Sequence, residues 1–508
     1  MHPLAKLDHR YLWHPFTQMH DWLKHDPIVI VEGTGARLRD TYGREYLDAN
    51  SSIWTNLHGH NHPRINAAIR RQLAKIAHSS ALGLANEPAS LLAEKLVEAA
   101  NPPATAQTAS PRVKRAPQGL VRESRMPPGW KPVLNKVFFS DDGSTAMEVA
   151  LKLAYQFACR SGHSRKPKFL TLEGAYHGDT VGAVALGHID LFHAAYSGLL
   201  FKTDKVMAPF CYRCPFNRAK PERGDARDYR KCDWECVGKL EQSFAAQRKR
   251  GSPYTAFVFE PLMQGAAGMI PQPAGWLSRA AEIARANGAL LVADEVMTGF
   301  GRTGFGGMSS NPRLPLPLTQ SASLFACHHE DVQPDFMALA KGLTGGYLPM
   351  AATLTTETVF NSFLGEYGDF KTFFHGHSFT GNQLGAAAGL ASLALLQTTS
   401  SLRARQRLEL ALFDALQTLW HCPNVGDIRQ VGLVAGVELV RDWRTREPFD
   451  LRERAGIRVC ETMARQGVLT RPIGNVVVVM PPYCTTPAEA RRIVTALNQA
   501  VMGLSKGR

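Results

Sequence analysis

Through the middle of the chain, short apolar runs alternate with longer segments whose apolar positions recur every three or four residues. The runs KVFFS (136–140), KFLTL (168–172), AFVFE (256–260) and ALLVA (289–293) predict short buried strands. After the first, the turn DDGS opens a stretch in which Ala146, Val149, Ala150, Leu153, Ala154 and Phe157 share one helical face. That stripe predicts a helix lying on a sheet. WLSRAAEIARANG, just before the last run, predicts a crossover helix stopped at Gly288. The alternation implies an α/β fold with a largely parallel sheet. Beyond about Gly381, helical stretches followed by VVVVMPP (476–482) predict a smaller α/β domain. The expected division is an N-terminal segment over 1–75, belonging to the small domain and the site entrance, a large domain over 76–380 and a small domain over 381–508. Three stretches interrupt the pattern and read as insertions: residues 101–136, basic and Pro-rich; 211–236, rich in cysteine; and 307–323.

Composition narrows the function only by exclusion. A chain of 508 residues, 44% hydrophobic and 20% charged, can bury a large core. No apolar run approaches the roughly 20 residues of a membrane span, and the first residues carry no signal-peptide core. A cytoplasmic protein without a membrane partner is expected. The net charge of +14 sits largely in Pro-rich stretches, not on a face with interleaved aromatics, which argues against nucleic acid as a partner. Nine cysteines are too few for a disulfide scaffold. Four of them, Cys211, Cys214, Cys232 and Cys236, have a spacing that suits zinc or an iron–sulfur centre, and equally an unmetallated loop.

Two segments carry the chemistry. LLVADEVMTGFGRTG (290–304) is a buried-strand pattern ending in Asp294 and Glu295 before a Gly-rich turn; MALAKGLTGGYLP (337–349) sets Lys341 among small and apolar residues. Pyridoxal phosphate (PLP) needs a lysine to form a Schiff base and a carboxylate to keep its pyridine nitrogen protonated. Gly143 and Ser144, where a strand gives way to a helix, suit a phosphate cradle. Tyr176 and His177, following another strand, suit packing against a planar ring.

With FFSDDGSTAMEVALKLA, YHGDTVGA, FEPLMQGAAGM, ADEVMTGFGRTG, AKGLTGGYLPMA and FFHGHSFTGNQLGAAAG taken together, the chain resembles the class III, fold type I PLP-dependent aminotransferases from about Leu12 to about Pro482. YLWHPFTQM and SSIWTNLHGHNHP resemble the branch that aminates 8-amino-7-oxononanoate in biotin synthesis. The resemblance implies roles. Lys341 would hold the coenzyme and shuttle the substrate proton, Asp294 would pair with the ring nitrogen, Gly143 and Ser144 would bind phosphate, and Tyr176 and His177 would contact the ring. It also implies a homodimer in which Gly376, His377 and Ser378 reach the neighbour's phosphate. Phe16, Ile53, Trp54, Tyr176, Lys341 and Gly376 would meet substrate, and Arg471 would take its carboxylate through a bidentate fork. Family members that use S-adenosylmethionine as donor often have a second tryptophan where Ile53 stands and a tyrosine where Phe16 stands. S-adenosylmethionine is still the expected donor, because Trp54 offers an aromatic face to a sulfonium. Lysine as donor, or another ω-aminotransferase activity on 4-aminobutyrate or a polyamine, is the alternative.

Overall fold

The computed structural model describes residues 1–101, 133–305, 312 and 323–504. Most of the expected insertions at 101–136 and 307–323 therefore lie outside the described residues. Seven strands form the central sheet: β1 (Leu134–Ser140), β2 (Phe169–Leu172), β3 (Asp204–Val206), β4 (Ala256–Phe259), β5 (Leu290–Asp294), β6 (Phe336–Leu339) and β7 (Ala351–Thr356). Their order is β1-β7-β6-β5-β4-β2-β3. Only β7 runs against its neighbours. Every residue of β2, β4 and β6 is buried, as a parallel sheet covered on both faces requires.

The expected strands are present with small shifts at their ends. The first begins at Leu134 rather than Lys136, so the tail of the basic insertion is sheet. Helix α1 (Gly143–Arg160) follows β1 and opens with a capping box between Asp142 and Thr145. It buries Ala146, Val149, Ala150, Leu153 and Ala154 against the sheet, the stripe read from the sequence. Helix α2 (Trp276–Ala286) crosses to β5, and Gly288 just beyond it sits at φ +72°.

The N-terminal segment folds with the C-terminal one. Strands Ile30–Thr34, Arg37–Asp40 and Glu45–Asp48 form an antiparallel meander, and the last of them pairs in parallel with Val468–Leu469. A second sheet near the C-terminus joins Val425–Val431, Val434–Asp442 and Val476–Val479. The cysteine segment, read as an insertion, is packed against the body of the protein. Cys211, Tyr212 and Ala226 form a small core of their own, and Arg223 donates to the carbonyls of Cys422 and Val425. Arg227, buried, donates to the Gln430 carbonyl at 2.7 Å. These guanidinium bonds fasten the segment to the C-terminal sheet. The four cysteines line one cavity of about 10 Å³ as free thiols. Among the described residues, no three His, Cys, Asp or Glu side chains are gathered so as to hold a metal ion, and no helix is long and apolar enough to cross a membrane.

Candidate active site

The sheet delivers its functional side chains at the ends of its strands, where an open α/β sheet leaves a crevice. A cavity of about 430 Å³ lies there, lined by residues that include Gly143, Ser144, Tyr176, His177, Asp294, Lys341 and Trp54. The sequence had proposed all seven from separate motifs.

Asp294 is the last residue of β5 and is buried. Its Oδ2 lies 2.8 Å from His177 Nδ1, and its Oδ1 accepts the amide of Val296 at 3.0 Å. The carboxylate is thus fixed in orientation before anything binds. His177 is buried and its Nε2 has no partner. At the start of α1, Gly143 packs so closely on Val296 that a Cβ there would lie 2.8 Å from Val296 Cγ1. Ser144 Oγ accepts the Asp179 amide at 3.0 Å. The intervening Gly178, at φ +122°, has no room for a Cβ beside Ser144. Asp142 takes the Thr145 amide, and the Gly143 and Ser144 amides remain at the positive end of α1 to meet an anion.

Lys341 follows β6 at φ +41°, a conformation a side chain rarely adopts. It is half-buried, and its Nζ stands 4.7 Å from the centroid of the Trp54 ring. Burial lowers its affinity for a proton below the ordinary lysine value. Asp294 and Glu260 pull the other way, and Arg302 adds to the lowering. Tyr176 donates its hydroxyl to Asp179 Oδ2 at 2.7 Å, and burial followed by that bond pushes its phenol up.

Trp54 is presented by an unusual piece of backbone. Ser51, Ser52, Ile53 and Trp54 all have φ between +47° and +67°, a full left-handed turn. Left-handed residues with a Cβ cost about 1–2 kcal/mol each, so the surroundings must impose the turn. Asp48 accepts the Ser52 amide at 3.0 Å and its hydroxyl at 2.9 Å, and also pairs with His60 Nε2 at 2.9 Å. Burial works to raise the Asp48 carboxyl, but these partners outweigh it and hold it below the ordinary carboxylate value. Ser51 Oγ donates to the Met480 carbonyl at 2.7 Å. Arg302, fully buried, donates to the carbonyls of Asn56 at 3.1 Å and Pro481 at 2.9 Å, and so ties the Gly-rich turn after β5 to both ends of the chain. Asp48, Arg302 and Glu260 had no role in the sequence reading. The first lies in no recognisable pattern, and the other two sit inside quoted motifs whose wording does not say which residue matters.

The remaining proposed residues lie outside the cavity wall. Phe16 is exposed and meets Phe192 edge-on at 5.3 Å, and Phe192 in turn meets Tyr176 edge-on at 6.3 Å. Ile53 is exposed beside Trp54. Gly376 and Ser378 are exposed, and His377 Nδ1 lies 3.3 Å from Asp141. Arg471 is exposed, with its charge felt by Cys460. Cys211, Cys214, Cys232 and Cys236 belong to the separate small cavity described above.

The donor set fits pyridoxal phosphate: an oriented carboxylate for the ring nitrogen, an amine of lowered basicity for the aldehyde, and the Gly143 and Ser144 amides of a helix N-terminus for the phosphate. The comparisons agree. The adenosylmethionine-8-amino-7-oxononanoate aminotransferase of Geobacter sulfurreducens is 43% identical over 99% of this chain and 98% of its own length. Its counterpart from Aquifex aeolicus is 41% identical over 99% and 98%. The crystal structure of the Methanocaldococcus jannaschii aminotransferase of the same name superposes with a TM-score of 0.82 at 36% identity, covering 98% of both chains. An amine transaminase from an uncultivated Pseudomonas species, solved in its PLP-bound form, gives 0.80 at 29% identity over 97% and 98%. The family profile described as aminotransferase class-III matches residues 19–312 and 318–501. With its coenzyme groups converging on one crevice and its similarity running end to end, the chain belongs to the class III aminotransferases and uses pyridoxal phosphate.

Proposed function

We propose that the chain moves an amino group onto 8-amino-7-oxononanoate, giving 7,8-diaminononanoate for biotin synthesis, with S-adenosyl-L-methionine as donor, and does so as a cytoplasmic homodimer. The relatives named for that reaction match over nearly their whole length. The observation that carries the chemistry is that Lys341 and Asp294 line one cavity together, with Lys341 Nζ 4.7 Å from the Trp54 ring centroid.

Bound coenzyme supplies an aldehyde that exchanges amines and a ring that draws electrons from the substrate carbon. The chain supplies the rest. Lys341, its basicity lowered, would move the proton between the substrate carbon and the carbon of the coenzyme's aldehyde, in one direction with the donor and in the other with the acceptor. Asp294, aimed by His177, keeps a proton on the ring nitrogen. Gly143 and Ser144 hold the phosphate at the end of α1. Trp54 and Tyr176 wall the cavity and exclude water. The Trp54 face suits a sulfonium cation, and the exposed Ile53 and Phe16 line the approach. Arg471, outside the cavity, would meet the substrate carboxylate at the mouth. Gly376, His377 and Ser378 would serve the neighbouring subunit's phosphate.

Single-turnover absorbance tests the donor. S-adenosylmethionine should convert the bound coenzyme to its amine form within the turnover time, and lysine should not. Rapid conversion by lysine alone would reverse the donor assignment, and conversion only by 4-aminobutyrate or a polyamine would reverse the substrate assignment.

A further inference from the structure

One carboxyl in the cavity has no part in the roles above. Glu260 stands just beyond β4, is 6% exposed, and shares the cavity wall with Tyr176, Asp294 and Lys341. Its two oxygens are divided between two segments. Oε1 accepts the amide of Tyr176 at 3.3 Å, and Oε2 accepts the amide of Gly265 at 2.7 Å. Tyr176 is one aromatic wall of the cavity. The Gly265 turn backs the other, since a Cβ placed on Gly265 would lie 3.4 Å from Trp54 Cζ3 and 2.5 Å from Met297 Sδ. One buried carboxylate therefore spans the supports of both walls.

We propose that Glu260 is a positioning residue for amino transfer, setting the width of the slot between Tyr176 and Trp54 by holding one amide from each side. The proposal rests on the assignment of Lys341 as the reacting amine. It adds a group that touches neither proton nor ring.

The chemistry of the clamp makes it sensitive to pH. An ionised carboxylate accepts two N–H bonds at once, whereas a protonated carboxyl turns one oxygen into a donor and loses an amide. Burial, seconded by Asp294, pushes Glu260 up to about 7, against His177 and the two amides. Lys341 completes the charged groups around it. The clamp is whole when Glu260 is ionised, so it weakens as pH falls through that value.

The test is KM and kcat for the amino acceptor from about pH 6 to pH 8.5 in the holoenzyme, for the wild type and Glu260→Gln. An amide keeps one acceptor oxygen and turns an NH₂ towards the other N–H, so E260Q should resemble the protonated state. Wild-type KM should rise about tenfold on acidification, the scale of one lost hydrogen bond to a charged acceptor, with kcat nearly constant. E260Q should show the raised KM at every pH. In coenzyme-free protein, the infrared difference between wild type and E260Q should contain a carboxylic acid C=O band that fades with a midpoint of about 7. A wild-type KM that does not move with pH, or an E260Q profile that follows the wild type, overturns the clamp. Should E260Q not fold, the wild-type profile decides alone, and Glu260→Asp, too short to span both amides, should give a KM in between. The visible band of coenzyme on Lys341 separates the two failures. Its absence from wild type would sink the assignment of the site, and its presence with an unmoved KM would sink only the clamp.

Discussion

The floor and the roof of the cavity are built by opposite strategies. Asp294 and Lys341 stand at the ends of neighbouring parallel strands, paired in register from Val292 against Phe336 to Asp294 against Ala338. Regular sheet places them, and only Lys341 itself departs from ordinary backbone. Trp54 opposite stands on four consecutive left-handed residues that no local preference favours. The floor's geometry follows from the strands that carry it. The roof's geometry is imposed by the side chain of nearby Asp48 and by partners remote in sequence, Met480 and, through Asn56, Arg302. A change in the floor should therefore strike chemistry, and a change in the roof should strike substrate fit and stability.

The largest effect should follow Lys341→Ala, which removes the amine proposed to carry the coenzyme and the proton; turnover and the visible coenzyme band should both vanish, and a variant that kept its activity would refute the floor as described. Asp294→Asn should retain coenzyme but lose roughly 4 kcal/mol of transition-state stabilisation, close to a thousandfold in kcat. A near-normal kcat would mean that another group protonates the ring. Gly346→Ala attacks the roof's seat, because a Cβ there would lie 2.8 Å from the backbone of Asn56 and Thr55 at φ +84°. Denaturant melts should show a loss of about 2 kcal/mol, with KM rising more than kcat falls. The smallest effect is the most telling about strain. Ile53→Gly removes an exposed side chain from a left-handed position, and the relief should outweigh glycine's extra chain entropy by about 0.5 kcal/mol. A clear loss of stability there would mean the turn is not strained.

Acid should separate the two carboxyls that hold the walls. The Asp48 carboxyl sits below its ordinary value, so its support of the turn is complete above about pH 4 and fades as pH falls through the folded-state value. Glu260 is raised to about 7, so its folded state favours the proton, and the stability tied to it is greatest in acid and is lost as pH rises towards that value. The difference between wild type and Asp48→Asn should shrink as pH falls below about pH 4, whereas the difference between wild type and Glu260→Gln should shrink as pH rises from about 4.5 to about 7. Parallel curves would contradict this.

The sequence made the floor legible because its signals are local. A buried strand ending in an acid, and a lysine before a Gly-rich loop, carry their chemistry in a few adjacent residues. The α1 stripe from Ala146 to Ala154 was equally plain, since helical periodicity repeats itself. The roof was illegible for the converse reason. Ile53, a β-branched residue, argues against positive φ, and nothing near SSIW announces a left-handed turn. Its stability comes from Asp48 and from contacts more than 400 residues away in sequence, which no window can contain. Glu260 was hidden differently, since a glutamate after a strand reads as a turn residue until its two amide partners are known. The anchoring of the cysteine segment was not legible either, because its anchors are arginines among polar residues, and only the tertiary fold reveals that Arg227 is buried.

The hydroxyl of Ser51 resting on the Met480 carbonyl has a reach well beyond one bond. It makes the last strand of the C-terminal sheet a lever on the pocket's lid. Substitutions near Val476–Val479, distant from any reacting atom, can then retune which amines enter, and libraries aimed at new donors should diversify that strand alongside the residues in view of the coenzyme.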